Sequence, residues 1–240
     1  MALFQIAGTI VSYEPESSLM KRKMEKYRIP EEENRTPDIR IHFTEGFLED
    51  RLKEYPELTK AGCEYMYAGS YFYIEMIRQM RGFMLHASAI EVDGKAYLFS
   101  APSGTGKSTH TALWRKYLGR NRKVRFINDD KPVICIEEGV CLACGTPFSG
   151  KTDLHSNVRV PIQAIAILER GRNQIRRMTP EEALYPFLDQ TIRPHERAAM
   201  EKLLEMLNMV ITKIPIYRLQ CDTSGEAAQM AYEAMRREAE

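Results

Sequence analysis

Residues 84–114 read MLHASAIEVDGKAYLFSAPSGTGKSTHTALW, and residues 127–130 read INDD. The run 84–92 has the composition of a β-strand, Asp93-Gly94 is the dipeptide that a two-residue hairpin turn prefers, and Lys95–Ser100 (KAYLFS) reads as the returning strand. That hairpin delivers the chain to APSGTGKST at 101–109. From 105 to 118 the pattern is helical, with Ala112, Leu113 and Leu118 as inward candidates and Gly119 placed to end the helix. Strand, glycine loop and helix come in the order of a phosphate-binding loop, and this context separates the motif from a chance Gly/Ser turn.

Each residue type in the loop has a physical reason. Gly104 and Gly106 take backbone angles closed to side chains bearing a Cβ, so that successive amides turn inward onto phosphate oxygens. The first amides of the helix add their aligned dipoles. Lys107, expected to face solvent, would reach the β- and γ-phosphates, and the Ser108 hydroxyl would ligate Mg²⁺. The nucleotide-binding set is therefore Ser103, Gly104, Thr105, Gly106, Lys107, Ser108 and Thr109, for ATP with Mg²⁺. Ala101 departs from the general G-x-x-x-x-G-K-[ST] pattern, while the glycines nearest the phosphates are kept.

Twenty-one residues after Ser108, Asp129-Asp130 ends the strand VRFIN. Carboxylates at a strand tip beside such a loop hold Mg²⁺ or accept a proton from an attacking hydroxyl. Neighbours in an extended chain point to opposite sides, which suits one acid on metal and the other on substrate; a solvated Asp-Asp turn is the alternative. The metal set is then Ser108 and Asp129, and the catalytic set is Asp130, Lys107 and His86. His86 and Ser88 fall on one face of the strand paired to the one entering the loop, where His86 is either functional or a hydrogen-bonded core residue.

Outward from this centre, Val124–Asn128, PVICIE and VCLAC read as strands, and PIQAIAILE at 161–169 is apolar enough for burial on both faces. GTPFSGKTDLHSN at 145–157, with Lys151 and His155, is a long polar loop, either exposed or a lid on phosphate or acceptor. Arg159, Arg170 and Arg172 are further candidates to meet phosphoryl charge. Thr179-Pro180-Glu181-Glu182 has capping-box spacing, a longer helix follows Pro194, IPIYRLQ is a strand, and Asp222 or Thr223 should cap a terminal helix. Toward the N-terminus, Phe4, Ile6 and Ile10 form a short strand, 17–27 a charged helix, 30–38 a loop, and Ile39, Ile41 and Phe43 a half-buried strand. The aromatic run 64–80 is helix or strand, and its rings read as core. No repeat or low-complexity tract interrupts the chain.

The chain has 240 residues, 44% hydrophobic and 28% charged, and 34 Lys+Arg against 33 Asp+Glu give +1. This composition excludes disorder, collagen and coiled coil for the whole chain, and the absence of a dominant basic block removes the electrostatic ground for a nucleic-acid partner. Cys63, Cys135, Cys141, Cys144 and Cys221 form an odd set with a single C-x-x-C spacing, which reads as free buried thiols in a reducing compartment. The N-terminal MALFQIAGTIVSYEPE lacks the features of a signal peptide, no apolar run approaches the roughly 18 residues of a membrane span, and a cytoplasmic location without membrane attachment is expected.

The stretch 84–114 followed by INDD resembles the catalytic core shared by HPr kinase/phosphorylases and ATP-dependent phosphoenolpyruvate carboxykinases, closely over 84–134 and more loosely to Leu219. The whole chain is similar to compact HPr kinase-related proteins of bacterial peptide-modification clusters, although residues 1–80 match no family by themselves. The length suggests one domain over 1–240, in which 1–80 read as an N-terminal α+β elaboration, and oligomers are allowed; the resemblance implies an α/β fold with a mixed β-sheet phosphate-loop core at 81–240. It implies that Ser103 to Thr109 binds the triphosphate, that Ser108 and Asp129 hold Mg²⁺, and that Asp130 faces the acceptor. His86 matches the histidine of the kinase branch, with Ala87 replacing its glycine. Thr109 stands where that branch has Glu, which counts against a phosphorylase half-reaction and against HPr as substrate; the short length counts against decarboxylation. The expected activity is transfer of the γ-phosphoryl group of Mg-ATP to a Ser or Thr hydroxyl on a peptide or small protein. A kinase of free serine or another small hydroxyl compound, and a nucleotide-gated binding module without turnover, are the alternatives.

Overall fold

Ala7-Gly8, Asp93-Gly94 and Glu138-Gly139 carry positive φ at both residues. That two-residue turn matches the twist of antiparallel strands, so each dipeptide closes a hairpin. In this computed structural model, which describes residues 1–30 and 35–237, the strands are β1 (Ala2–Ile6), β2 (Thr9–Tyr13), β3 (Ile39–Arg40), β4 (Gly82–Met84), β5 (Ala87–Val92), β6 (Lys95–Ser100), β7 (Val124–Asn128), β8 (Val133–Glu137), β9 (Val140–Cys144), β10 (Arg159–Arg170), β11 (Gln174–Arg177) and β12 (Ile216–Cys221). The helices are α1 (Ser18–Met24), α2 (Phe47–Glu54), α3 (Lys60–Arg78), α4 (Lys107–Leu118), α5 (Pro180–Asp189), α6 (Arg197–Lys213) and α7 (Gly225–Met235).

The fold is mixed α/β. The main sheet runs β4-β8-β9-β10-β6-β5-β7, with β12 added beside β10 and β11 beside β12, and a small sheet β1-β2-β3 stands apart. Strand β10 organises the whole. Its first residues pair antiparallel with β9, and the remainder lies parallel to both β6 and β12. From Ala164 onward its side chains alternate, Ile165 and Ile167 joining the α5–α6 core and Ala164, Ala166 and Leu168 the core under α4 and α7; Ile162, before a register shift at 162–164, also joins the α5–α6 core. Trp114, fully buried beneath α4, fills this second core against Phe99, Tyr97 and Tyr232. A third core joins β1, β2, α1 and α3 to Val133, Cys135, Cys144 and Phe148. Among the described residues no helix is long and apolar enough to cross a membrane.

Several expectations are corrected. The run 84–92 is two strands, because at Leu85-His86 the chain passes from pairing with β8 to pairing with β6 and β7. There the amides of Leu85, His86 and Ala87 donate to Pro132, Gln190 and Asp130 carbonyls, outside any regular ladder. Phe4, Ile6 and Ile10 lie in a hairpin and not in one strand, and β3 keeps only two residues. The run 64–80, open between helix and strand, is helical to Arg78, with Ala68, Phe72, Tyr73, Met76 and Ile77 buried at helical spacing behind a Thr59 cap, while the Tyr71 ring is exposed and not core. On α4 the inward residues are His110, Thr111 and Trp114, and Ala112 is exposed. The last helix is capped by Ser224, whose own amide Asp222 holds. The short strand β11 carries no signal in the sequence. The capping box at Thr179 forms as read. All five cysteines are free and buried, with Cys141 and Cys144 in separate cores. The expected loop 30–38 lies partly outside the described residues.

Candidate active site

Strand β6 ends at Ser100, and the chain turns through 101–106 into α4. Gly104 has φ +80° and Gly106 +121°, with nothing near where a Cβ would sit, so backbone angle and not space selects glycine. Among the described residues, the amides of Gly104, Gly106, Lys107 and Ser108 have no acceptor in the chain, the pattern that an anion-binding helix start requires. Arg170, at the end of β10, braces the loop by donating to the Gly104 and Thr105 carbonyls at 2.6 and 3.1 Å. Lys107 does not face solvent. It is 7% exposed, and its Nζ folds back on the Ala101 and Pro102 carbonyls at 2.7 and 3.3 Å. Burial pushes its pKa down, with Asp130 working the other way. Ser103, Ser108 and Thr109 are exposed at the mouth of the loop.

The acids come next. Strand β7 stops at Asn128, whose Oδ1 accepts the amides of Asp130 (2.9 Å) and Lys131 (2.7 Å), turning the chain sharply. The two acids consequently do not point to opposite sides: both line the ≈ 470 Å³ cavity that holds Ser103, Lys107, Ser108 and Thr109. Asp129 is nearly buried and its Oδ1 accepts the Gly150 amide at 2.7 Å. Burial raises its pKa, with Asp130 adding to the rise and Gly150 opposing it. For Asp130, burial also pushes upward, but the hydrogen bond from His86 and the charges of Lys131, His86 and Lys107 outweigh it and hold the carboxyl below its ordinary value.

His86 sits at the break between β4 and β5, with Nε2 3.2 Å from Asp130 Oδ1 and Nδ1 2.9 Å from Gln190 Oε1. Gln190 ends α5 and orients the ring, a role without any local sequence signal. Ser88, in contrast, is fully buried under α4 against Thr111 (2.9 Å) and takes no part.

The segment 145–157 is not an exposed loop. Phe148 is buried between Tyr65, Phe72 and Tyr73, and Thr146 is fully buried. Within the segment the exposed residues are Lys151 and Thr152 at the tip and Asn157 at the end, and the tip lines the same cavity as the 101–109 loop. Lys23 of α1 anchors the segment. Nearly buried, it donates to Ser149 Oγ at 2.8 Å and to Asp153 Oδ1. His155 is buried against Tyr27, away from the cavity. Arg159 pairs with Glu137 and Arg172 is exposed elsewhere, so Arg170 is the one of the three arginines at the loop.

Two further cavities adjoin the first. One of ≈ 420 Å³ shares Gly106, Thr109 and Arg170 and continues along Thr105, His110, Leu168 and Cys221. The other, ≈ 320 Å³, lies between α1, α3 and the 149–153 segment and shares Asp130, Gly150 and Lys151. Asp130 thus faces two cavities, whereas Asp129 lines, of these, the one at the 101–109 loop.

No family model matches the sequence, and no curated protein does. Among solved structures, the HPr(Ser) kinase/phosphatase from Coxiella burnetii is similar at a TM-score of 0.35 and 10% identity, over 63% of this chain and 95% of that one. The likeness is distant and of fold; the chemistry of this site rests on its own residues.

Proposed function

We propose that the chain is a phosphotransferase of the HPr kinase-like phosphate-loop type, moving the γ-phosphoryl group of Mg-ATP to a Ser or Thr hydroxyl of a peptide or small protein. The observation that carries this reading is the single cavity in which four unpartnered loop amides meet two carboxylates, one of them open to a second cavity on the far side. A helix start with free amides favours phosphate, and the ≈ 420 Å³ cavity continuing from Thr105 and Thr109 is of nucleoside size.

The residues also fit a hard cation, since Mg²⁺ takes one or two carboxylates or hydroxyls together with phosphate oxygens, and Asp129 and Ser108 supply such oxygens at the cavity wall. Bound there, Mg²⁺ would neutralise charge on the β- and γ-phosphates. The chain does the rest. Loop amides and Lys107, swung from its carbonyl partners, hold the phosphates. Asp130 takes the proton as the acceptor oxygen forms its bond to the γ-phosphorus; the bond from that phosphorus to the β–γ bridging oxygen breaks, and its electron pair leaves on ADP. His86, held by Gln190, fixes the Asp130 carboxylate in place.

The test is ATP turnover with a panel of Ser and Thr peptides and free amino acids, following ADP release and the phosphorylated product by mass spectrometry. Phosphopeptide formation is expected. ATP binding without transfer to any hydroxyl would replace the kinase by a nucleotide-gated module, and transfer to free serine alone would replace the peptide by a metabolite.

A further inference from the structure

The ≈ 320 Å³ cleft next to Asp130 is built by residues outside the phosphate-loop core: Leu19, Arg22 and Lys23 from α1 and Tyr65 from α3, closed on the other side by Gly150-Lys151. Its floor is apolar, made by Leu19 and the Tyr65 ring. The Tyr65 hydroxyl is committed to the Ser149 carbonyl at 3.0 Å, and the Lys131 ammonium stands 5.0 Å from the ring centroid. Both carboxylates in the cleft are engaged, Asp130 by His86, and Asp153 by Lys23 with His155 and Arg22 nearby. The rim holds more positive charge than negative: Arg22, 66% exposed and 3.7 Å from Asp153, shares that carboxylate with Lys23, and Lys151 has no ion-pair or hydrogen-bond partner among the described residues. The cleft is open to solvent.

We infer that the N-terminal elaboration reads the acceptor, a peptide whose hydroxyl residue follows an apolar residue seated on Leu19 and Tyr65 and precedes acidic residues that meet Arg22 and Lys151. This rests on the phosphotransfer reading above. A hydroxyl placed in the cleft reaches the one carboxylate that also faces the phosphate cavity, so recognition and proton acceptance meet at Asp130. Because the rim charges lie at the edge of the cleft, they discriminate by complementarity and like-charge repulsion.

Two probe peptides test it, acetyl-Gly-Leu-Ser-Glu-Glu-amide and acetyl-Gly-Leu-Ser-Lys-Lys-amide, with free serine as a third acceptor and ATP affinity measured separately. Wild-type protein should prefer the Glu peptide by roughly tenfold or more in kcat/KM. Arg22→Glu, at an exposed position, should remove or reverse that preference with ATP affinity unchanged, and Leu19→Asp should raise KM for both peptides. Transfer indifferent to peptide charge and to residue 22 overturns this inference alone, as does free serine used as well as the Glu peptide. Loss of transfer to all three acceptors overturns the phosphotransfer reading with it.

Discussion

Replacing Phe148 by Ala should separate the anchoring of the 145–157 segment from the chemistry at its tip. The ring is 1% exposed and makes edge or tilted contacts with Tyr65, Phe72 and Tyr73 at centroid separations of 5.7, 5.9 and 5.5 Å. Gly69 lets it lie so close to α3 that a Cβ there would be 3.0 Å from the ring. A Phe→Ala change in such a site costs about 3–5 kcal/mol, a large part of the roughly 5–15 kcal/mol that holds a typical domain. Two residues on, the Gly150 amide holds Asp129 at 2.7 Å, so freeing the segment also loosens the acid. Urea melts should show the full loss in Phe148→Ala and a markedly smaller one in Phe148→Leu. Mg²⁺ activation of ATP turnover should weaken more than ATP affinity does. A loss below about 1 kcal/mol in Phe148→Ala would refute the claim that the aromatic cluster anchors the segment.

Three other outcomes follow from the geometry. In Gly150→Ala the new methyl would sit 3.3 Å from both Asp129 Oδ2 and Asp130 Cβ, so phosphotransfer should fall by about tenfold or more with little change in melting temperature, measured by steady-state kinetics and calorimetry. Lys107→Ala should abolish ATP binding by titration, and because this lysine is buried on its own loop carbonyls it should also cost about 1–2 kcal/mol in denaturant melts. Burial, with the nearby Lys26 and Lys23 charges, pushes His155 from 6.5 down to about 4. Its folded-state value lies below its unfolded one, so the contribution is complete above about pH 6.5 and is lost as pH falls toward 4, up to about 3 kcal/mol. Burial lowers His110 to about 4 as well, so melts across that range should fall less steeply in His155→Asn without becoming flat; an equally steep fall in the variant would remove His155 as a cause.

The strand, glycine loop and helix at 95–118 were legible because the glycines, lysine and flanking elements are consecutive, and so their geometry is local. The β5–β6 hairpin and the capping box at Thr179 were legible for the same reason. What stayed hidden is what distant segments contribute. Gln190 behind His86, Lys23 behind Ser149 and Asp153, and Gly150 on Asp129 meet across more than twenty residues of sequence. The division of 84–92 into two strands was equally invisible, since periodicity within the run is unaffected by which neighbour each half pairs with. The expected opposed Asp129 and Asp130 assumed extended backbone, and the Asn128 side chain turns the chain instead. Buried Lys107 shows that a charged loop residue folds inward when backbone carbonyls satisfy it.

The central claim is that Asp130 accepts the proton of the acceptor hydroxyl while the nucleotide is held by other residues. Single-turnover phosphotransfer by Asp130→Asn, with ATP affinity titrated in parallel, tests it most directly. The amide keeps the shape, so ATP affinity should stay within a few fold, while the transfer rate should fall by roughly 10² to 10⁴. Equal losses of affinity and rate would make Asp130 the metal ligand in place of Asp129, and an unchanged rate would contradict the account.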